Sequence, residues 1–307
     1  MPGGRGPGRD PPVFSPALRG DRPRAHRACA PPPPPYNDPP FDGGIPDTRE
    51  TAVDILLTND DGAHAPGLLA LREALRRLGA VTVAAPAHER SAVSHALSLN
   101  RPIPEPRRVR VRGPGEVYAV DGTPVDCVKF ALDKLCRRRP GLIVSGMNPG
   151  LNTGINILYS GTVGGAAEGA FAGIPAVAVS LEESPRMAFA AAARQTARLL
   201  RRAMARGLLR PGVLLNINLP ARPRPRGARW TVMDRGPLAE SYVRRADPRG
   251  RPYYWIQGPP AHAHPPLRNG RFPTDNAAIA DGFISITPLQ FDLTDRAMLR
   301  RLATSRP

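Results

Sequence analysis

From residue 53 onward, short apolar runs alternate with stretches of helical spacing, and this alternation limits the chain to a small set of folds. "VDILLT" (53–58) is a buried strand in pattern. "APGLLALREALRRLG" (65–79) places Leu68, Leu71, Leu75 and Leu78 on one helical face, and Gly79 ends the helix. Strands follow at 80–86, 117–120, 141–146, 175–181 and 213–220. Helices are expected at 123–136, 162–173 and 186–208. Thr123 is the N-cap and Pro124 the first helical residue of the helix at 123–136. The small residues of "TVGGAAEGAFAG" (162–173) suit close packing. Strands interleaved with helices build an open, Rossmann-like, mostly parallel α/β sheet.

After Pro220 the alternation stops. "RPYYWIQG" (251–258) and "DGFISITPL" (281–289) read as strands with no helix between them. Residues 295–307 read as a helix up to the terminal "TSRP". Three segments are therefore expected. Residues 1–50 form a Pro/Gly/Arg-rich extension, 51–220 an α/β catalytic domain, and 221–307 a smaller β-rich segment used in oligomerisation. The extension holds 14 prolines and 7 glycines, too little apolar surface to offset ordering entropy, and is read as disordered. Its seven arginines nearly balance six acids, so it is not a basic nucleic-acid arm. No second Met occurs before Met147, so a native start near Val53 would need an alternative initiation codon.

The formal net charge of +17 suggests anionic partners. Yet Lys129 and Lys134 are the only lysines in a chain rich in Arg, Ala, Pro and Gly, which points to coding composition and away from a stable nucleic-acid partner. Cys29, Cys127 and Cys136 form no CxxC pair, against a disulfide framework or a zinc site and in keeping with the cytoplasm. No apolar stretch is long enough to span a membrane.

Ligands of open α/β sheets gather where strands end at their carboxyl side. Asp60 and Asp61 follow the first strand directly. Gly62 permits the sharp turn that lets both carboxylates converge. Two adjacent carboxylates repel unless a cation lies between them. Taken alone, "NDDG" also fits a plain polar turn closed by Asn59. A second loop, "APAHERSAVSHALSLN" (85–100), supplies Ser91, Ser94, Ser98 and Arg90. A third, "VSGMNPGLNTGINILYSGTVGGAAEG" (144–169), supplies Asn148, Asn152, Asn156, Ser160 and Thr162 among glycines. Glycines admit close approach of an anion to backbone N–H groups, and the helix that follows points its positive end the same way. Oxygen donors on three loops suit Mg²⁺ or Mn²⁺, and such an ion beside a phosphate cradle means phosphoryl chemistry. Neither a Walker loop nor a GxGxxG fingerprint is present. The acids are adjacent, not spaced Asp-x-Asp, which disfavours an aspartyl nucleophile. His64, His88 and His95 match no metal-binding spacing and are expected to face solvent or play supporting roles. "HAHPP" (262–266) is expected to be solvated.

Eight segments in order resemble the SurE survival-protein family of metal-dependent 5'-nucleotidases: "ILLTNDDGAHAPGL", "APAHERSAVSHALSL", "GTPVDCV", "VSGMNPGLNTG", "YSGTVGGAAEG", "GIPAVAVSL", "LLNINLP" and "GFISITPL". The resemblance spans roughly residues 53 to 296. It implies one divalent cation, Mg²⁺ or Mn²⁺, held by Asp60, Asp61, Ser91 and Asn148. It implies a phosphate pocket of Asn152, Ser160, Gly161 and Thr162, with Asp60 a candidate to activate water. The implied substrate is a nucleoside 5'-monophosphate, with 3'-nucleotides and short polyphosphate as further possibilities, and the implied assembly is a homodimer or homotetramer. The N-terminal extension and Pro149 depart from the family pattern without removing a proposed ligand. The competing reading is a non-catalytic nucleotide- or RNA-binding α/β module.

Overall fold

A computed structural model describes residues 53–113, 115–222, 224–236, 240–257 and 271–303. The extension at 1–50 and "HAHPP" lie outside the described residues. In chain order, the first half of the protein comprises β1 (Ile55–Thr58), α1 (Pro66–Leu75), β2 (Val81–Pro86), β3 (Arg107–Arg108), β4 (Val117–Val120), α2 (Pro124–Phe130) and β5 (Leu142–Pro149). The second comprises α3 (Gly161–Phe171), β6 (Ala176–Leu181), α4 (Phe189–Ala205), β7 (Leu214–Leu219), β8 (Ala228–Trp230), β9 (Ser241–Ala246), β10 (Pro252–Gln257), α5 (Asp275–Ala280), β11 (Ile284–Leu289) and α6 (Arg296–Leu302).

Among the described residues nine strands form one sheet in the order β3-β4-β2-β1-β5-β6-β7-β11-β8. It is parallel from β4 to β7; β3 and β11 run antiparallel to their neighbours β4 and β7. Successive strand residues enter opposite cores, as the pleat requires. Ile55 and Leu57 join Leu68, Leu71 and Leu75 of α1 and Ala193 and Leu200 of α4. Leu56 faces the other way, toward Cys127 and Val128 of α2 and Val163, Ala166 and Ala167 of α3. Both faces are thus covered, which is why the central strands are apolar throughout.

The capping expected at Thr123 is observed in full. Its hydroxyl accepts from Asp126 N at 3.1 Å, and Asp126 Oδ2 accepts from Thr123 N at 2.8 Å. The small residues of α3 do bring it close to the sheet: a methyl at Gly165 would lie 3.1 Å from Ser145 Oγ and 3.2 Å from Thr58 Cγ2.

The structure corrects the sequence reading in several places. α1 stops at Leu75, because Leu78 N closes a tight turn on Leu75 O at 2.7 Å. β5 continues to Pro149, since a register shift between Gly146 and Asn148 lets Asn148 and Pro149 stay paired with β6. A helix, α5, does lie between the two late strands. It has only six residues, too few to show a periodic apolar face, though Thr274 caps it by accepting from Ala277 N at 3.2 Å. β11 joins the main sheet beside β7, while β9 and β10 form a separate antiparallel hairpin.

α1 crosses the end of β5 at Gly67, where an added Cβ would come within 2.1 Å of the Met147 carbonyl oxygen. Backbone cannot yield as a side-chain tip can. Gly67→Ala is expected to lower the unfolding free energy by about 1–3 kcal/mol, measured by denaturant titration, whereas Ala70→Gly, on the half-buried side of the same helix, costs only about 1 kcal/mol of helix propensity.

Candidate active site

The order of strands reverses direction at β1: the chain first adds β2 and β4 on one side, then crosses to β5, β6 and β7 on the other. The loops after β1, β2 and β5 therefore meet at a switch point on the carboxyl edge, where open α/β sheets leave a crevice.

The β1 loop is built by Asn59. Its Oδ1 accepts from Gly62 N at 3.2 Å and its Nδ2 donates to Gly62 O at 3.1 Å, while Gly62 takes φ +104°. This Asx-type turn fixes Asp60 and Asp61. Asp60 is 6% exposed. Its carboxylate sits on the N-terminus of α3, where Thr162 N donates to Oδ2 at 3.0 Å and Thr162 Oγ1 donates to Oδ1 at 2.5 Å. Gly161 makes this approach possible, because a Cβ there would lie 3.0 Å from Asp60 Cβ and Oδ2. Burial pushes the Asp60 carboxyl above its ordinary range, against the pull of the Thr162 hydrogen bonds. Asp61 is pushed up to about 7 by burial first, then by the charges of Asp60 and Glu89. Its Oδ2 is sealed from solvent and has no hydrogen-bond partner.

The β2 loop is tied to both neighbours. Ala63 N donates to Pro86 O at 2.9 Å, and Arg90 N donates to Asp60 O at 2.8 Å. Ser94 N donates to Tyr159 O at 3.0 Å, and Ser94 Oγ donates to Leu158 O at 2.7 Å. Ser91 is one residue from Arg90, is exposed, and donates through Oγ to Glu89 Oε1 at 2.6 Å. Asn148 projects from the end of β5 with Nδ2 donating to Gly150 O at 2.7 Å. The edge thus gathers Asp60, Asp61, Gly161, Thr162 and the Ser91 loop, with Asn148 at the end of the adjoining strand β5.

Ser160 caps α3, its Oγ accepting from Val163 N at 3.1 Å. Thr162 is fully buried, and both of its donors are spent on Asp60, so the positive helix end expected to face a phosphate holds a carboxylate instead. Asn152 is clamped by two core strands. Its N donates to Asn218 Oδ1 at 2.9 Å, its O accepts from Asn216 Nδ2 at 2.7 Å and Asn218 Nδ2 at 3.2 Å, and its Nδ2 donates to Ser180 Oγ at 2.8 Å.

Sequence reasoning missed Glu89, although it lies two residues before Ser91 in "ERSA". It also missed Asp275, which accepts from Gly154 N at 2.9 Å, Asp234 N at 3.0 Å and Asn276 N at 2.8 Å. Burial raises the Asp275 carboxyl to about 6 despite those donors. Of the three histidines, His64 and His88 are exposed. His95 has a supporting role: its Nε2 lies 2.9 Å from Glu168 Oε2, and its ring stacks on Phe171. That contact fastens the β2 loop to α3.

Asp61 Oδ2 is an orphaned buried oxygen next to the buried Asp60 carboxylate, an arrangement whose charge a divalent cation would fit. Among the described residues no three His, Cys, Asp or Glu side chains gather as a metal group, so any ion here relies on a mixed set with neutral oxygens, which fits Mg²⁺ or Mn²⁺ better than zinc.

The family model for "Survival protein SurE" matches residues 55–240. A Moorella thermoacetica protein named 5'-nucleotidase SurE is 44% identical over 252 residues, covering 81% of this chain and 94% of its own. One of the same name from Geobacter metallireducens is 46% identical over 253 residues, covering 81% and 96%. The crystal structure of the SurE protein from Aquifex aeolicus superimposes with a TM-score of 0.69 at 35% identity, covering 81% of this chain and 98% of that one. With Asp60 seated on the start of α3 beside Asp61, and relatives that align over nearly their whole length, the chain belongs to the SurE family.

Proposed function

We infer that the protein is a 5'-nucleotidase, a metal-dependent phosphohydrolase that releases phosphate from nucleoside 5'-monophosphates. The observation that carries the reading is the sealed, unpartnered Asp61 Oδ2 beside buried Asp60. The names of the relatives support the substrate class. One Mg²⁺ or Mn²⁺ ion is proposed, held by Asp60, Asp61, Ser91 and Asn148. When bound, such an ion neutralises charge on the phosphoryl oxygens and lowers the pKa of water.

The chain's own residues do the rest. Ser160 Oγ accepts from Val163 N and keeps its own hydrogen for a phosphate oxygen. Asn152 and the backbone at Gly161 hold the remaining oxygens, with Asn152 kept rigid by Asn216, Asn218 and Ser180. Thr162 acts by fixing Asp60. Each Asp60 oxygen retains a lone pair beyond its Thr162 bond, enough to orient water and take its proton as the water attacks phosphorus. The P–O ester bond breaks, its electron pair stays on the nucleoside oxygen, and that oxygen is protonated. 3'-Nucleotides and short polyphosphate are further candidates, because nothing in this chemistry depends on the 5' position.

The net charge of +17 favours a non-catalytic nucleotide- or RNA-binding module as the second reading. The paired aspartates argue against it, since they repel phosphate unless a cation intervenes. For assembly we propose a homodimer or homotetramer joined through residues 221–307. The hairpin supports this, since Tyr242, Tyr254 and Ile256 on one face and Trp255 on the other are all more than half exposed. No described helix is long and apolar enough to cross a membrane. Buried Cys127 and half-buried Cys136 are free thiols, in keeping with a cytoplasmic protein.

Asp60→Asn is expected to cut phosphate release from AMP by about 10²- to 10³-fold with an unchanged circular dichroism spectrum; near-full activity would remove Asp60 from the mechanism. EDTA should abolish turnover, and Mn²⁺ or Mg²⁺ should restore it. The same ions should raise the melting temperature of the native chain but not of Asp61→Asn. Light scattering should give two or four protomers, and the double variant Tyr254→Ser, Trp255→Ser should give one.

A further inference from the structure

Asp275 is a buried carboxyl that no step of the proposed reaction uses, and it is closed off from solvent. It opens α5, in the segment beyond the hairpin, yet its bonds lead back to the phosphate loop. Oδ2 accepts from Gly154 N at 2.9 Å. Oδ1 accepts from Asp234 N at 3.0 Å and from Asn276 N at 2.8 Å.

Gly154 begins the short 3₁₀ turn Gly154–Leu158, which connects Asn152 to Ser160. Both ends of that stretch are fixed elsewhere: Asn152 by Ser180, Asn216 and Asn218, and Ser160 by its cap on α3. Between them, Ser94 grips the far end of the turn, its N donating to Tyr159 O at 3.0 Å and its Oγ to Leu158 O at 2.7 Å. Asp275 grips the near end. Gly154 takes φ +55°, and a Cβ there would lie 3.2 Å from Asp234 O, so the turn packs directly on the segment that Asp275 also holds. Without Oδ2 the buried Gly154 N–H loses its acceptor, and the turn must shift to find another.

The bond depends on charge, since an ionised carboxylate accepts more strongly than a neutral acid, whose hydroxyl would be a donor among donors. Residues 153–158, β7 and β11 bring no titratable side chain to α5. The segment at 231–236 brings exposed Arg235 and buried Asp234, whose carboxylate accepts from Thr274 Oγ1 at 3.0 Å and Gly236 N at 2.9 Å. Asp281, at the end of α5, is paired with Arg229 at 3.3 Å. Burial first, with a lesser push from Asp234, outweighs the three donors and raises the Asp275 carboxyl to about 6.

Resting on the phosphohydrolase reading, we propose that ionised Asp275 is a positioning residue for the reaction: it pins the Gly154 turn and so sets where Asn152 and Ser160 stand around the phosphate. Turnover is then lost in acid through a group that never touches substrate.

The experiment measures kcat and KM for AMP with saturating Mn²⁺ from pH 5 to pH 8, in the native chain and in Asp275→Asn. The amide keeps the shape, and its oxygen can serve Asp234 N and Asn276 N while its NH₂ group confronts Gly154 N–H. At pH 8 kcat should fall about ten- to hundredfold, with KM changing less. By pH 5 about nine-tenths of native Asp275 is protonated, so the native-to-variant ratio should shrink about five- to tenfold. Asp60 and Asp61 titrate in both chains and cancel in that ratio. A ratio constant across pH, at one or at any larger value, would overturn the role of Asp275. If the variant does not fold, hydrogen exchange in the native chain decides. Corrected for intrinsic rates, the amides of 153–158 should lose protection between pH 8 and pH 5 while α1 keeps its own, and equal protection at both would overturn the proposal. A native chain inactive on AMP at every pH would sink the phosphohydrolase reading instead, and the exchange measurement would still decide whether Asp275 pins the turn.

Discussion

Two carboxylates held side by side at the end of a buried strand set the terms for this site. In a partly dry environment their repulsion is several-fold stronger than in water, and burial alone already disfavours both charges. The chain does not relieve this by exposing them. It seats Asp60 on the first turn of α3 through Thr162 and leaves Asp61 Oδ2 sealed without a donor. The residual need for positive charge is what the proposed cation would meet. The same interaction fixes α3, and the bare backbone of Gly161 lets Asp60 sit against it, where a Cβ would crowd the carboxylate at 3.0 Å.

The rest of the edge is braced against movement by buried polar groups that an apolar core would otherwise exclude. Asn216 and Asn218 sit in β7 with no exposure and spend their amides on Asn152. Asp275 gathers three backbone N–H groups from the Gly154 loop, the segment at Asp234 and its own helix. Leaving such donors without a partner costs about 1–3 kcal/mol each, so these networks define one conformation of the loop more strictly than apolar contacts could. They also give β7 and α5 a part in the site, although neither carries a proposed ligand.

The apolar periodicity announced the central strands and the helices that cover them, because every one of those segments buries a repeating pattern. Thr123 with Asp126 was legible as a helix start for the same local reason. Short elements were not. β3 and β8 have two and three residues, and α5 has six, so no period can show. Their place comes from pairing and capping with distant residues, as when Ile284 and Ile286 of β11 pair with Ala228 and Trp230. Asp275 was silent for a related reason: its role depends on Gly154, 121 residues away.

By itself, the sequence determined that strands end in loops bearing Asp60, Asp61, Ser91, Asn148 and Ser160, and that these loops share one edge, because a parallel sheet delivers all its strand ends to the same side. Only the tertiary structure decided what each group touches. It turned the start of α3 toward Asp60, drew Asn152 into the grip of β6 and β7, and set Asp275 against Gly154. Strand order and close packing decide such contacts, and neither is written in the spacing of residues along the chain.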